Sequence, residues 1–147
     1  MSKAETAVTY FDTYNCAQST LAVYAADYDL EKDKALQVAV GFGGGIGCIQ
    51  DVCGAVSAAV MVLGLASNFK EDDRRPKINE VYETVRRFID DFTREKGTIK
   101  CRDLINCDLS SEEGQKYFKE HNLKDLCRGY VRLCCELLDK YLKEANG

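Results

Sequence analysis

Apolar residues early in the chain recur at helical spacing. Ala7, Tyr10, Phe11, Tyr14, Ala17, Leu21, Tyr24 and Ala25 predict one helix over roughly residues 3–28. Asp29 is placed to cap a second, short helix through Val40, and Gly41 ends it. After a glycine-rich loop, a third helix is predicted from Gln50–Asp51 to about Asn68. It is apolar on nearly every side, the mark of a central element. Its Gly54, Ala55, Ala58, Ala59 and Gly64 let neighbouring helices approach closely.

The polar segment FKEDDRRPK reads as a linker, with Pro76 where a first-turn proline is tolerated. Ile78, Val81, Tyr82, Val85, Phe88, Ile89 and Phe92 mark a fourth helix that stops at Gly97. CRDLINC predicts a short helical turn. Ser110 with Glu113 matches a capping box that opens a helix to about Glu120. The last helix is predicted over residues 124–145, with the stripe Leu126, Tyr130, Leu133, Leu137 and Tyr141. No strand alternation, internal repeat or low-complexity tract is present. The pattern predicts an all-α fold: one domain over residues 1–147, a bundle of about five to six helices around a central apolar helix.

Composition narrows the function. The chain has 147 residues, 46% hydrophobic and 30% charged, enough to bury a core. A net charge of −4 supplies no basic field for phosphate, so nucleic acid is not expected as a partner. The longest apolar stretch, Val52 to Ala66, is shorter than the ~20 residues a membrane span needs. MSKAETAVTYFDTYN lacks the apolar core of an export signal, so a cytoplasmic location is expected.

The departure from an ordinary composition is in the cysteines, of which there are eight. In a reducing compartment such a surplus points to metal binding or thiol chemistry rather than a disulfide framework, with burial as small hydrophobes the plain alternative. Cys53 falls in the first turn of the third helix if Asp51 or a neighbour caps it. Cys101 follows Gly97 and Thr98 at a helix start, between Lys100 and Arg102. Both settings are expected to lower the thiol pKa. Cys127 and Cys134 share nearly one helix face about 10 Å apart, too far to bridge directly. Cys135 points about 100° away from Cys134 and reads as accessory, while Cys134 suits core packing. Cys48 with Cys53, or Cys101 with Cys107, bridges only if the chain between them bends. Cys16 lies off the apolar stripe of its helix, which points to a second contact surface, as in a homodimer, or to a partly exposed thiol. No pair has C-x-x-C spacing, against a zinc ribbon, a ferredoxin-type cluster or a thioredoxin-like motif. The single histidine, His121, reads as a solvated helix end.

The stretch GFGGGIGCIQDVCGAV carries six glycines in sixteen positions. It fits neither a dinucleotide fingerprint nor a P-loop: the G-x-G-x-x-G spacing fails, no lysine follows, and the preceding segment reads as helix. Gly43, Gly44 and Gly45 are the candidate cofactor-binding positions, because glycine permits positive φ and close backbone approach.

Asn15-Cys16-Ala17-Gln18, then Gly41 to Gly45 leading into Cys53-Gly54-Ala55-Val56-Ser57-Ala58, then Cys101-Arg102-Asp103-Leu104, then Cys127, resemble in order the redox-active protein family C-GCAxxG-C-C. The resemblance implies that the family's four cysteines are Cys16, Cys53, Cys101 and Cys127, and that these carry a redox role. Cys48, Cys107, Cys134 and Cys135 are then extras. The motif's final glycine is replaced here by Ala58. Three readings follow. In the first, reversible thiol oxidation uses these four cysteines as catalytic residues, needs no cofactor, and draws on an electron donor or protein redox partner that the sequence does not name. In the second, the same four thiolates hold zinc or an iron–sulfur cluster. In the third, the chain is a non-catalytic helical module.

Overall fold

The computed structural model describes residues 1–146, with side chains through residue 144. Among the described residues the α-helices are α1 (Lys3–Tyr10), α2 (Cys16–Ala25), α3 (Lys32–Ala39), α4 (Gly54–Ala66), α5 (Arg75–Lys96), α6 (Cys101–Ile105), α7 (Glu112–Glu120) and α8 (Lys124–Asn146). The fold is all-α, as expected, but with eight helices rather than five or six. The only extended pairing among these residues is an antiparallel bridge between Val52 and Lys100.

The extra count arises mainly at the N-terminus, where the predicted helix over residues 3–28 is two helices. The Asn15 side chain accepts from the Gln18 N–H at 2.9 Å, and the Gln18 Oε1 accepts from the Asn15 N–H at 3.1 Å. This reciprocal cap satisfies donors that a continuous helix would have bonded to its own carbonyls, so the chain restarts at Cys16. Asp29 does not cap α3. It ends a 3-10 turn in the left-handed conformation, and Glu31 precedes α3 without a side-chain cap. Ser111, not Ser110, caps α7 by accepting from the Gly114 N–H. Gly97 ends α5 at φ 86°, and Pro76 lies in its first turn, both as the sequence indicates.

α4 is central. Ala55, Val56, Ala58, Ala59 and Val62 are wholly buried, and the helix packs against α2, α5 and α8. Ala58, the position where the motif has glycine, is accommodated without exposure. α5 offers the core Phe88 and Phe92, one turn apart, and burying each stabilises by roughly 1.5–3 kcal/mol. The Tyr141 hydroxyl donates to Asp91 at 2.6 Å and ties α5 to α8.

α8 departs from the predicted stripe. Leu126 is exposed, whereas Tyr130, Val131, Cys134, Cys135, Leu138 and Tyr141 are buried. The helix contacts α1, α2, α4, α5 and α6, so a broader face than one stripe is covered. Both Cys134 and Cys135 therefore sit in the core despite pointing about 100° apart.

Candidate functional site

Two short extended stretches bring the starts of α4 and α6 together. The Cys53 N–H donates to Ile99 O at 2.7 Å, the Cys101 N–H to Asp51 O at 2.7 Å and the Arg102 N–H to Gln50 O at 3.3 Å. Cys53 immediately precedes α4, and Cys101 is the first residue of α6. The break at Asn15 makes Cys16 the first residue of α2, and Cys127 completes the first turn of α8. Four helices thus begin at one place, each with a cysteine at its start.

That place is a cavity of about 130 Å³, lined by Cys16, Cys53, Cys101 and Cys127. Phe11, Leu104, Ile105, Leu109, Phe118 and Tyr130 complete its walls. The Tyr130 hydroxyl donates to Leu104 O at 2.6 Å and fixes α6 on α8. Cys16 is half-buried and packs against α4 and the glycine loop of the same chain. A methyl on Gly54 would stand 2.6 Å from the Cys16 sulfur. All eight cysteines are free thiols, and Cys53 and Cys101 are buried while Cys16 and Cys127 are half-buried.

The thiols are not acidified, contrary to the expectation from their place at helix starts. Burial pushes the Cys101 thiol up to about 11, against an opposing hydrogen bond from the Gln50 side chain. Burial and then the proximity of Cys16 and Cys101 push Cys127 up to about 12, with Lys124 and Arg128 opposing. Cys53 is raised well above the usual thiol range by burial and next by Cys16. Cys16 is raised by burial, although the N–H groups of Gly44, Ala17 and Ala55 all face its sulfur. The magnitudes explain the outcome. A helix start is worth about 0.3–1 kcal/mol, less than one pKa unit at about 1.4 kcal/mol, while burial moves thiols by several units.

The glycine loop folds back on itself. Residues 44–48 all have left-handed φ, from 55° to 71°, including Ile46 at 69° and Cys48 at 63°. The N–H groups of Gly47, Cys48, Gln50 and Asp51 bond to Gly41, Gly43, Gly44 and Gly45 carbonyls respectively. Gly45 must be glycine: a methyl there would lie 2.7 Å from the Asp51 nitrogen. Of the three candidate cofactor glycines, Gly44 and Gly45 line the cavity, whereas Gly43 lies against the Asn15 side chain.

The other cysteines are placed apart. Cys107 is buried, with its Sγ 3.1 Å from Gly114 O. Cys134 and Cys135 belong to the core, and Cys48 is exposed on the loop. His121 is exposed and stacks on Tyr117 at 3.9 Å between ring centroids. Among the described residues no group of three or more His, Cys, Asp or Glu is arranged to hold a metal ion.

Gln50 was not singled out by the sequence. It is buried, its Nε2 donates to Cys107 O at 2.7 Å, and its Oε1 accepts from the Leu109 N–H at 2.7 Å. It fastens the segment after α6 to the loop before α4. A glutamine between a glycine tract and an apolar helix carries no pattern that separates this role from a solvated one.

The chain matches the family described as "Putative redox-active protein (C_GCAxxG_C_C)" over residues 14–141. It belongs to that family. The span of this C-GCAxxG-C-C match contains Cys16, Cys53, Cys101 and Cys127, and also Cys48, Cys107, Cys134 and Cys135. No curated protein and no solved structure matches the chain. Among the described residues no helix of this family member is long and apolar enough to cross a membrane.

Proposed function

We propose that this protein is a thiol redox protein in which Cys16 and one of Cys53, Cys101 and Cys127 cycle between dithiol and disulfide. The observation that carries this reading is the convergence of four unpaired thiols, from four separate helix starts, on one apolar cavity of about 130 Å³. Cys16 is the hub. Its sulfur rests against Gly54, the residue after Cys53, and among the thiols it opposes the ionisation of Cys53, Cys101 and Cys127 most. Cys53 is the first choice of partner on this geometry.

Closing the disulfide releases two protons and passes two electrons to an oxidant, itself a disulfide or another two-electron thiol oxidant. A thiolate attacks first, and the second thiol completes the bridge by displacing the leaving group. Burial holds the thiols protonated near neutral pH, so the attacking thiolate is a small fraction there. The cavity has room for roughly four waters at ~30 Å³ each, so it admits a small oxidant and excludes a peptide.

The test is a thiol count in denaturant, before and after treatment with diamide and again after dithiothreitol. Reversible loss of two thiols is expected, mapped by mass spectrometry to a bridge involving Cys16 and abolished by Cys16→Ser. No reversible loss, or a bridge that survives Cys16→Ser unchanged, would overturn the reading.

A further inference from the structure

The exposed thiol of Cys48 has no part in the four-cysteine cavity, yet it stands at the cavity's outer wall. It closes the left-handed run of residues 44–48, and a methyl on Gly44 would meet the Cys48 sulfur at 2.6 Å. Gly44 itself lines the cavity and turns its N–H toward the Cys16 sulfur. Two residues beyond Cys48, the chain bonds to the start of α6 through Gln50 O and Asp51 O, which accept from Arg102 and Cys101. Cys48 is close enough to Cys101 for its charge to oppose ionisation there. A sulfur open to solvent is thus separated from the buried ones by one wall of backbone.

The surface around Cys48 is apolar. Val40, Ile46 and Ile49 are 55%, 42% and 71% exposed, and Ile46 and Gly47 are bonded back to Phe42 and Gly41, beside Val40. Two side chains of this run, Ile46 and Cys48, occupy a backbone region that side chains other than glycine rarely adopt.

We propose that Cys48 is the receiving thiol of this protein: it exchanges with a disulfide too large to enter the cavity, and passes the oxidation to Cys101. This rests on the thiol redox reading above. The Cys48 thiolate attacks one sulfur of the incoming disulfide, forming a mixed disulfide and releasing the other half as a thiol. Cys101 then attacks the Cys48 sulfur, and the second half leaves as a thiol. Cys16 attacks Cys101, Cys48 is released as a thiol, and a Cys16–Cys101 bridge is left, open to further exchange with Cys53. Overall, two cavity thiols are oxidised and one external disulfide is reduced to two thiols. The apolar rim of Val40, Ile46 and Ile49 suits a protein disulfide as the natural donor.

The experiment compares two probes on the full chain: glutathione disulfide, too bulky for the cavity, and hydrogen peroxide, small enough to enter it. In Cys48→Ser, internal bridge formation by glutathione disulfide is expected to slow by about tenfold or more, because direct attack on a buried thiol is what remains. The hydrogen peroxide reaction, in which one thiol becomes a sulfenic acid and the second displaces water to close the bridge, is expected to stay within about twofold of wild type, access to the cavity being unchanged. In Cys101→Ser, glutathione is expected to accumulate on Cys48, seen as a mass adduct on the peptide that contains it. Equal rates with glutathione disulfide in wild type and Cys48→Ser would overturn the relay. Equal slowing with both probes would also overturn it, by assigning Cys48 a structural role. A wild type that forms no internal bridge with either probe defeats the underlying redox reading and the relay with it, so the two failures are told apart.

Discussion

The sulfur of Cys16 lies against the Cα of Gly54, with no room between them for a methyl group. Added there, a Cβ would stand 2.6 Å from that sulfur and 2.7 Å from Phe42 O. Gly54→Ala gains helix propensity of about 1 kcal/mol but meets a backbone carbonyl that cannot swing away, an overpacking worth about 1–3 kcal/mol. The expected result is a lower Tm and a Cys16 thiol that reacts faster with iodoacetamide. An unchanged Tm would show that the Phe42 turn yields freely.

Alkaline pH should weaken the fold and activate the site together. The ordinary thiol value is 9.0, and Cys101 and Cys127 titrate at about 11 and 12 in the folded chain. Below 9 both states carry the proton, and these thiols contribute no pH dependence. Above it the unfolded chain ionises first, so stability falls as pH rises from about 9 to about 12. From neutral pH to about 10, well below both values, the thiolate fraction of Cys101 and Cys127 grows about tenfold per pH unit. Urea midpoints across pH 7–10 should decline above 9, while iodoacetamide rates rise throughout. A rate plateau near pH 7 would mean that an acidified thiol exists after all.

Gln50 holds two buried backbone groups, Cys107 O and the Leu109 N–H. Gln50→Ala leaves both without a partner, and each such loss costs about 1–3 kcal/mol. Destabilisation by about 2–4 kcal/mol is expected in chemical denaturation. Losing the Gln50 hydrogen bond, which opposes the effect of burial on Cys101, should also push that thiol further up and slow its reaction with iodoacetamide. Loss of stability with an unaltered Cys101 would confine Gln50 to a purely structural part.

Asn15 does two jobs, capping α2 and donating its Nδ2–H to Val40 O at 2.9 Å. Asn15→Ala should lower stability by about 1–2 kcal/mol. It should also free the turn before the glycine loop, read as faster amide exchange at residues 40–44. Asn15→Asp keeps the cap acceptor but loses the donor to Val40, so it should restore most of the helix stability and little of the loop protection.

The fold class was legible because helical spacing is a local property, and α4 announced itself as central by being apolar all round. What escaped was the interruption at Asn15. The same residues that continue the apolar spacing, Phe11, Tyr14 and Ala17, straddle a capping pair that the periodicity does not register. Missing that break also hid why Cys16 avoids the apolar stripe: it opens a new helix whose first turn faces the cavity. The four site cysteines were marked by their order in the family pattern, and their meeting in space is a tertiary fact that no spacing encodes. Their ionisation was misjudged for a physical reason. Helix starts can be placed from sequence, whereas the depth of a sulfur beneath Phe11, Leu104 and Phe118 cannot, and depth is the larger effect.

The last sulfur of the quartet enters the chain at residue 127, in a helix that touches α1, α2, α4, α5 and α6. A nascent chain halted before that point has three of the thiols but lacks the wall that shelters them. The cavity therefore closes only when α8 has docked, and a chain cut before residue 127 carries loose sulfhydryls in place of an enclosed set.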